Sequence, residues 1–291
     1  MALLHILRFI TRHPLTKGRP IEAFLRFCIW QIQSRLSRAP VVKPFAGNTQ
    51  LWMRRGWAGV TGNLYTGLHE YEDMAFLLHF LRKEDVFVDV GANMGSYTVL
   101  AAGVCGANTI SLEPLPATFE RLLENIRLNH LQELVNPLNA AAGESSSELL
   151  FTTAEDTTNH IATETDRETI SVPVVPLDSI LEQYPSLIKI DVEGYETAVL
   201  RGARQTLQHP NLKALIIELN GSGERYGFDE SSIHRKLINL GFQACRYEPA
   251  TRLLQKISAP GTHNTLYCRD LDYVTQRLQS ATPFTVLNKT I

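Results

Sequence analysis

Cysteine is scarce in this 291-residue chain, and its few copies are scattered. The four cysteines, Cys28, Cys105, Cys245 and Cys268, form no C-x-x-C pair. Zinc sites and disulfide frameworks need clustered cysteines, so neither kind of site is expected to organise this fold. Scattered cysteines also predict the reducing environment of the cytoplasm.

Long apolar runs are missing as well. A membrane-spanning helix needs roughly 18 to 20 apolar residues in succession, and no stretch of the chain approaches that length. The most apolar N-terminal run, Leu3 to Ile10, is interrupted by His5 and Arg8, and no small-residue cleavage site follows it. We therefore expect neither a transmembrane helix nor a secretory signal peptide.

Acidic residues are nearly absent from the N-terminal end. Residues 1–57 contain ten Lys or Arg and one acid, Glu22, whereas the rest of the chain has eighteen bases and twenty-nine acids. One interpretation is a pair of short helices that packs its apolar stripe on the main domain and exposes solvated basic faces. The other is a basic arm that contacts phosphates, anionic lipid or an acidic substrate.

Beyond this arm the pattern alternates between strands and helices. Strand-like segments 86–90 and 109–113 are each followed by a helical segment, 97–104 and 116–129. Repeated β-α-β units require a parallel sheet that helices cover on both faces. We therefore predict an α/β fold with a doubly wound, mostly parallel sheet.

The expected organisation has three parts: a basic helical extension at 1–57, one domain at 58–272 and a C-terminal tail at 273–291. Residues 39–69 are rich in Gly, Pro and aromatics and predict short strands and turns. Segments 148–153 and 170–175 alternate and predict an inserted hairpin. Further strands are predicted at 135–141, 187–191, 214–218, 242–247 and 264–268, the last two as an antiparallel pair, and further helices at 71–81, 177–183, 196–208 and 231–240.

Two glycines follow the first strand of this pattern. Gly91 and Gly95, with Asn93 between them, let the chain turn tightly and approach a ligand at the start of a helix. The dinucleotide fingerprint G-x-G-x-x-G is absent, because Asn93 replaces the middle glycine. Asp89 would repel a pyrophosphate and attract a cation, such as a sulfonium that carries an amino-acid ammonium.

Acidic residues also follow the later strands. Glu113 stands 22 residues after Gly91, which is the spacing of a carboxylate that accepts hydrogen bonds from ribose hydroxyls. Asp191 follows the strand at 187–190, where it either caps the next helix, with Glu193 and Glu196 in the first turn, or orients and deprotonates an acceptor hydroxyl.

Oxygen ligands for a metal are a further interpretation. Asp191, Glu218 and Asn220 come from two neighbouring strand ends, and three such oxygens would suit Mg²⁺ that retains several waters. His160, in the loop of the inserted hairpin after Asn159, is a candidate general base because imidazole titrates near neutrality. An unreactive loop histidine fits the sequence equally well.

Taken together, these motifs resemble the FkbM-type methyltransferases. The residues that carry the resemblance are the segment Asp89 to Tyr97, Glu113-Pro114, Asn125 to Asn129, Lys189 to Gly194, Ile217-Glu218, Gly62 to Tyr65 with Glu70, and Gly241-Phe242. The resemblance covers about residues 60–270. It implies a class I methyltransferase sheet of seven strands, with the last pair antiparallel.

The resemblance also implies a cofactor and a reaction. S-adenosylmethionine would donate a methyl group to an acceptor oxygen, often a hydroxyl of a sugar or natural product. The cofactor residues implied by position are Asp89, Gly91, Asn93, Gly95, Ser96, Tyr97, Glu113 and Asp191. Asp191 and Glu193 would lie beside the acceptor, whose identity cannot be inherited with the fold.

Two other classes of function can be compared with this one. A nicotinamide-dependent oxidoreductase would need the missing G-x-G-x-x-G. A protein that binds nucleic acid or a membrane surface would use the basic arm on a vestigial cofactor fold, and its binding would depend strongly on salt. The methyltransferase interpretation predicts no nucleic-acid partner, but it is compatible with a peripheral membrane contact through the arm.

Overall fold

A computed structural model gives the fold of residues 2–37, 39–153, 160–162, 167–261 and 263–291. The helices are α1 (Ala2–Arg12), α2 (Pro20–Leu36), α3 (Ala58–Thr66), α4 (Tyr71–Phe80), α5 (Ser96–Val99), α6 (Pro116–Leu128), α7 (Leu177–Ile180), α8 (Glu196–Arg201), α9 (Arg204–Gln208), α10 (Glu230–Asn239) and α11 (Leu271–Gln279). Among the helices so described, none combines the length and apolarity needed to cross a bilayer.

The strands form one large sheet and three small ones. They are β1 (Val41–Pro44), β2 (Gln50–Met53), β3 (Val86–Val90), β4 (Asn108–Leu112), β5 (Val135–Leu138), β6 (Ala141–Ala142), β7 (Ser147–Thr152), β8 (Thr169–Val175), β9 (Leu187–Ile190), β10 (Ala214–Glu218), β11 (Gln243–Glu248), β12 (Leu253–Lys256), β13 (Asn264–Cys268), β14 (Thr285–Val286) and β15 (Lys289–Thr290). The large sheet has eight strands in the order β12-β11-β13-β10-β9-β3-β4-β5.

This order confirms the predicted doubly wound α/β fold. Strands β10, β9, β3, β4 and β5 are parallel, and β3 and β9 are buried along their whole length. Strand β13 runs antiparallel between β10 and β11, as the expected last pair requires. The eighth strand, β12, was not predicted: it extends the sheet by pairing with β11 across a tight turn in which Arg252 has a φ of 56°.

The inserted hairpin is confirmed as a separate small sheet. Strands β7 and β8 pair antiparallel, and β6 adds to β8 in parallel. The predicted strand 135–141 is therefore divided, because Asn139 turns the chain out of the large sheet. The Asn139 amide donates to the carbonyl oxygens of Glu113 and Pro114, each at 2.9 Å.

Several predicted helices differ in extent. The helix at 97–104 begins at Ser96 and continues as a π-helical turn over Leu100–Val104. The helix at 177–183 is the single turn α7, and the one at 196–208 is divided into α8 and α9. Residues 39–69 contain the short strands β1 and β2, as expected, which pair antiparallel. They also contain helix α3, which was not predicted.

The terminal segments share the core of the large sheet. Ile10, Ala23 and Trp30 of the basic extension are buried in the same apolar cluster as Leu77 of α4. From the other end of the chain, Val274, Leu278 and Val286 enter that cluster. Apolar burial of this kind stabilises the packing of both ends on the sheet.

Candidate active site

A cavity of about 480 Å³ lies at the carboxyl ends of the parallel strands, where residues after β3, β4 and β9 line it together with the end of β10. The strand order reverses between β3 and β9, because the chain continues from β3 to β4 on one side and later returns to β9 on the other. Open α/β sheets bind ligands at such a switch point.

The glycine loop after β3 forms one wall. Gly91 has a φ of 77° and Gly95 a φ of 85°, conformations that favour glycine. A Cβ on Gly91 would lie 1.9 Å from the carbonyl oxygen of Asp191, and one on Gly95 would lie 2.5 Å from Leu122 Cδ1. The two glycines therefore let the loop approach β9 and α6 closely, while Gly91 and Asn93 line the cavity.

Glu113 fixes the loop from the end of β4. Its carboxylate accepts hydrogen bonds from the backbone N–H of Asn93 at 2.9 Å and of Leu115 at 3.1 Å. Burial raises the pKa of Glu113 to about 7, although both N–H donors lower it. The carboxylate lines the cavity in the position where the sequence predicts a ribose contact.

Helix α3 reaches the start of α5 on the opposite wall. Asn63 Nδ2 donates to Ser96 Oγ at 3.0 Å, and both residues line the cavity. Tyr97 is buried beside them, and burial, followed by the charges of Glu70 and Asp73, raises its pKa well above the ordinary value. The predicted cofactor residues Ser96 and Tyr97 thus face the same cavity as Gly91 and Glu113.

Three carboxylates meet where β9 and β10 end. One oxygen each from Asp191, Glu193 and Glu218 lies within 4.8 Å of the others. Burial first, and then the charges of Asp191 and Glu193, raise the pKa of Glu218 to about 9. Glu218 therefore holds a proton at neutral pH, which relieves the repulsion within this carboxylate cluster.

Lys189 is the cation that faces this cluster. Its side chain is buried, donates to Asp191 Oδ2 at 2.9 Å and lies 5.0 Å from the centre of the Tyr97 ring. Burial lowers the pKa of Lys189, but the charges of Asp191, Asp89 and Glu70 outweigh burial and raise it. Lys189 therefore stays charged and forms an ion pair with Asp191.

Glu196 stabilises the turn that carries Glu193. One oxygen of Glu196 accepts from the N–H groups of Val192 and Gly194, both at 3.1 Å. Glu193 itself has a φ of 54°, a strained conformation for a side chain with a Cβ. Asp191 is bound to Lys189, and the residue at the start of α8 is Tyr195, so the alternative in which Asp191 caps that helix is wrong.

Other predicted residues lie outside the cavity wall. Asp89 is buried behind it, where Oδ2 accepts from Thr98 Oγ1 at 2.7 Å. His160 is buried in the inserted hairpin, and its backbone N–H donates to Thr152 Oγ1 at 3.1 Å. Asn220 is exposed, and its Oδ1 accepts from the N–H of Ser222. Asn159 lies outside the described residues.

The structure thus changes the set of clustered oxygens. Glu193 joins Asp191 and Glu218, where Asn220 was predicted instead. Asn63, Glu70 and Lys189 also line the cavity, although no role was predicted for them. Their only signal in the sequence is their presence in the segments that carry the family resemblance.

Aromatic side chains line the cavity beside the inserted hairpin. Phe151 and Tyr195 line it, and the Tyr195 ring lies 5.6 Å from Tyr226 and 5.8 Å from Phe228. Tyr226 Oη donates to the carbonyl oxygen of Ile161 at 3.1 Å, which ties this aromatic cluster to the hairpin. Flat rings of this kind pack well against the apolar faces of cyclic ligands.

The cavity as a whole is acidic. Glu70, Glu113, Asp191, Glu193 and Glu218 line it, and Lys189 is the single Lys or Arg among the described lining residues. Even with Glu218 protonated, acids outnumber bases at this wall. A ligand with positive charge is favoured here, and a pyrophosphate is not.

Comparisons with known proteins identify the family of this chain. A family model, the methyltransferase FkbM domain, matches residues 89–248. The hexuronic acid methyltransferase AglP of Haloferax volcanii is 29% identical over 155 residues, which are 52% of this chain and 62% of that protein. Methyltransferase 1 of Beauveria bassiana is 30% identical over 146 residues, 41% of this chain and 58% of that protein.

The match therefore spans less than two thirds of the length of either curated relative. The crystal structure of a methyltransferase FkbM from Methylobacillus flagellatus KT has a TM-score of 0.47 and 20% identity, over 72% of this chain and 52% of that chain. The family model takes in the glycine loop, Glu113, Asp191 and Glu218, and it covers more than half of the chain. The chain belongs to the FkbM methyltransferase domain family.

Proposed function

We propose that this protein is an S-adenosylmethionine-dependent methyltransferase that acts on an acceptor oxygen, and that residues 58–272 carry the reaction. The observation that carries the proposal is the acidic cavity at the switch point of the sheet. S-adenosylmethionine has a sulfonium and an ammonium, so its positive charge complements the carboxylates of this wall. Family membership supports the same conclusion.

The cofactor would bind along the glycine loop. Glu113 would accept hydrogen bonds from the ribose hydroxyls, since its carboxylate lies at the end of β4 beside Asn93. Gly91 permits close approach, and Glu70 and Asp191 offer carboxylates to the cationic end of the ligand. Asp89 does not line the cavity. It would contribute to the site through its hydrogen bond with Thr98, behind the cavity wall.

The acceptor would lie against the aromatic side of the cavity. Phe151 and Tyr195 offer apolar faces, and Glu193 offers a carboxylate beside them. A sugar ring presents an apolar face and a rim of hydroxyls, so it suits this combination. The name of the Haloferax volcanii relative, a hexuronic acid methyltransferase, also supports a sugar or natural-product hydroxyl as acceptor.

The reaction would be an in-line displacement. S-adenosylmethionine supplies the methyl group. The chain positions the acceptor oxygen, excludes water and removes the acceptor proton. Glu193 is the proposed proton acceptor, because it lines the cavity and the family resemblance implies that it lies beside the acceptor. Asp191 would orient the acceptor hydroxyl.

Two predicted participants become secondary candidates. His160 is not among the residues that line the cavity, so a role as general base would require it to act on the acceptor from the hairpin. Mg²⁺ would compete for Asp191 with the Lys189 ammonium, which donates to Asp191 Oδ2 at 2.9 Å. We therefore expect that a chelator such as EDTA leaves the activity unchanged.

Binding of S-adenosylmethionine and S-adenosylhomocysteine by calorimetry tests the proposal. We expect micromolar binding by the full chain and at least a tenfold loss in Glu113→Gln, because the ionised acceptor for the ribose is removed. Glu124→Gln, an exposed change on α6, is the matched control and should bind normally. If the folded wild-type chain binds neither ligand, the proposal fails.

A further inference from the structure

Helix α2 has apolar residues on two opposite faces. Ala23, Phe27 and Trp30 are buried against the rest of the protein. The opposite face carries an outer stripe of five large apolar side chains at helical spacing. Their exposed fractions are 74% for Ile21, 52% for Leu25, 50% for Ile29, 60% for Ile32 and 83% for Leu36.

More than half of the exposed large apolar side chains in the described chain lie on this one helix. Eleven large apolar residues of the described chain are exposed, and six of them belong to α2, including Phe24 at 44%. Single exposed apolar residues are normal, whereas a contiguous patch marks a site of interaction. The outer stripe runs the length of a helix whose other face is already packed, so it is available to a partner.

The exposed charges of the N-terminal extension are mostly basic. Arg35 is exposed on α2, and Lys43 reaches Gln33 of the same helix, with Nζ to Oε1 at 3.1 Å. The single acid of the extension, Glu22, forms an ion pair with Arg19 at 3.5 Å. Exposed bases also lie on α1 and just after it: Arg8, Arg12 and Lys17.

Three kinds of partner can be compared by how well their chemistry matches this apolar stripe and its neighbouring bases. A second copy of the chain would bring two strongly basic segments together, which charge repulsion opposes. A nucleic acid needs cations at the centre of its contact, where α2 presents Ile and Leu. The surface of an anionic bilayer supplies both an apolar layer for the stripe and phosphates for the flanking bases.

We propose that α2 is a peripheral membrane-docking helix, which lies in the plane of an anionic bilayer with its outer stripe in the headgroup and acyl boundary. The helix does not span the membrane: it is packed on the protein along its other side. This is an interaction surface independent of the proposed methyl transfer.

The docking helix lies one helix away from the cavity. The Phe27 ring is 5.3 Å from the Tyr65 ring of α3, and Gln31 Nε2 donates to Tyr65 Oη at 3.1 Å. Helix α3 in turn contributes Asn63 to the cavity wall. Docking through α2 therefore brings the α3 side of the cavity toward the bilayer surface.

Vesicle co-sedimentation of the full chain tests the proposal. The vesicles are phosphatidylcholine alone, or phosphatidylcholine with about one third phosphatidylglycerol. We expect binding to the anionic vesicles to exceed binding to neutral ones by roughly tenfold or more, and to weaken in high salt, because several bases each add to the attraction. Equal binding to both vesicles, or no binding to either, would overturn the proposal.

The apolar part is tested by the triple variant Leu25→Gln, Ile29→Gln and Ile32→Gln. Gln has good helix propensity and these side chains are exposed, so the fold should persist, as circular dichroism would verify. We expect roughly a tenfold or larger loss of binding to anionic vesicles, because three side chains no longer enter the bilayer. The matched control changes three exposed apolar residues elsewhere to Gln, namely Leu150, Ile238 and Leu253, and should bind as the wild type does.

Light scattering tests whether a second copy of the chain, instead of a bilayer, covers the outer stripe. If the wild-type chain is a dimer that the α2 triple variant converts to a monomer, the outer stripe is a self-interface and membrane docking is wrong. If the triple variant binds anionic vesicles as well as the wild type, the stripe does not dock and the proposal is also wrong.

Discussion

At the scale of single residues, the carboxyl groups of the cavity differ in their protonation. Burial raises the pKa of Glu113 to about 7, while burial and two neighbouring carboxylates raise the pKa of Glu218 to about 9. Lys189 donates to Asp191 Oδ2 at 2.9 Å. At neutral pH the same wall therefore offers a proton holder, a half-ionised group and an aspartate paired with a lysine, which are separate chemical roles.

Cofactor affinity should depend on pH through Glu113. The ionised carboxylate accepts ribose hydrogen bonds, so binding should strengthen as pH rises through about 7, the pKa of Glu113. On the order of a tenfold gain is expected between pH 6 and pH 8. Calorimetry at both pH values measures it. Glu113→Gln should lose this gain and keep only the pH dependence of the ligand's own amino group, and an equal slope in both proteins would contradict the assignment.

Turnover should depend on Glu193. Removing a general base usually costs about 10²–10⁴-fold, so Glu193→Gln should lower kcat by that range while S-adenosylmethionine still binds. Glu224→Gln, an exposed change on the neighbouring turn, is the control. A fall in kcat of less than about threefold would show that another group takes the proton.

Sequence patterns could locate some of these residues and not others. Gly91, Glu113 and Asp191 were predictable, because each follows a strand at the edge where parallel sheets bind ligands. Glu193 was expected beside the acceptor. That its carboxylate also joins those of Asp191 and Glu218 depends on the φ of 54° that Glu193 itself adopts in the turn. Lys189 lies inside a strand, where a buried cation gives no signal of its own.

At the scale of secondary-structure elements, the sequence pattern predicted neither helix α3 nor the division of residues 196–208 into α8 and α9. Helix α3 contains two glycines and two threonines, which are poor helix formers, so its sequence favours turns. Packing against α2 and β2 stabilises it instead. Residues 196–208 have a regular helical pattern, but Gly202 and Ala203 interrupt the helix where it meets the inserted hairpin.

Gly202→Ala should destabilise this junction. A Cβ on Gly202 would lie 1.9 Å from the Gly143 carbonyl oxygen and 3.2 Å from Pro176 Cα, and backbone atoms cannot move aside cheaply. Overpacking of this kind costs about 1–3 kcal/mol or more, which urea denaturation would measure. Gly18→Ala is the matched control, since its nearest contact would be Lys289 Nζ at 3.9 Å. Equal stability of the two variants would show that the junction can relax.

At the scale of the whole molecule, the fold concentrates acids at one edge of the sheet and bases at the N-terminal extension. The sheet order was predictable, because repeated β-α-β units leave few topologies and the family resemblance selects one. The added strand β12 and the packed C-terminal segment were not, because both depend on contacts between distant parts of the chain.

The free energy of unfolding should fall as pH rises from 7 to about 8.5. Burial first, with the charges of Asp191 and Glu193, raises the pKa of Glu218 to about 9 from an ordinary value of 4.5, so the folded protein retains a proton that the unfolded chain has released. Stability decreases with pH wherever the folded state binds more protons. Burial first lowers the pKa of His13 and of His79 to about 4, but above pH 7 these side chains are largely neutral in both states and contribute little. Thermal unfolding at several pH values measures the slope, and Glu218→Gln, which cannot ionise, should reduce it. The part that remains belongs to Asp73, Glu113 and Glu196, because burial raises the pKa of each to about 7 and they also release protons just above neutrality. A wild-type protein whose unfolding temperature stays constant or rises over this range would show that Glu218 is ionised in the folded state, and the carboxylate cluster would then need another cation.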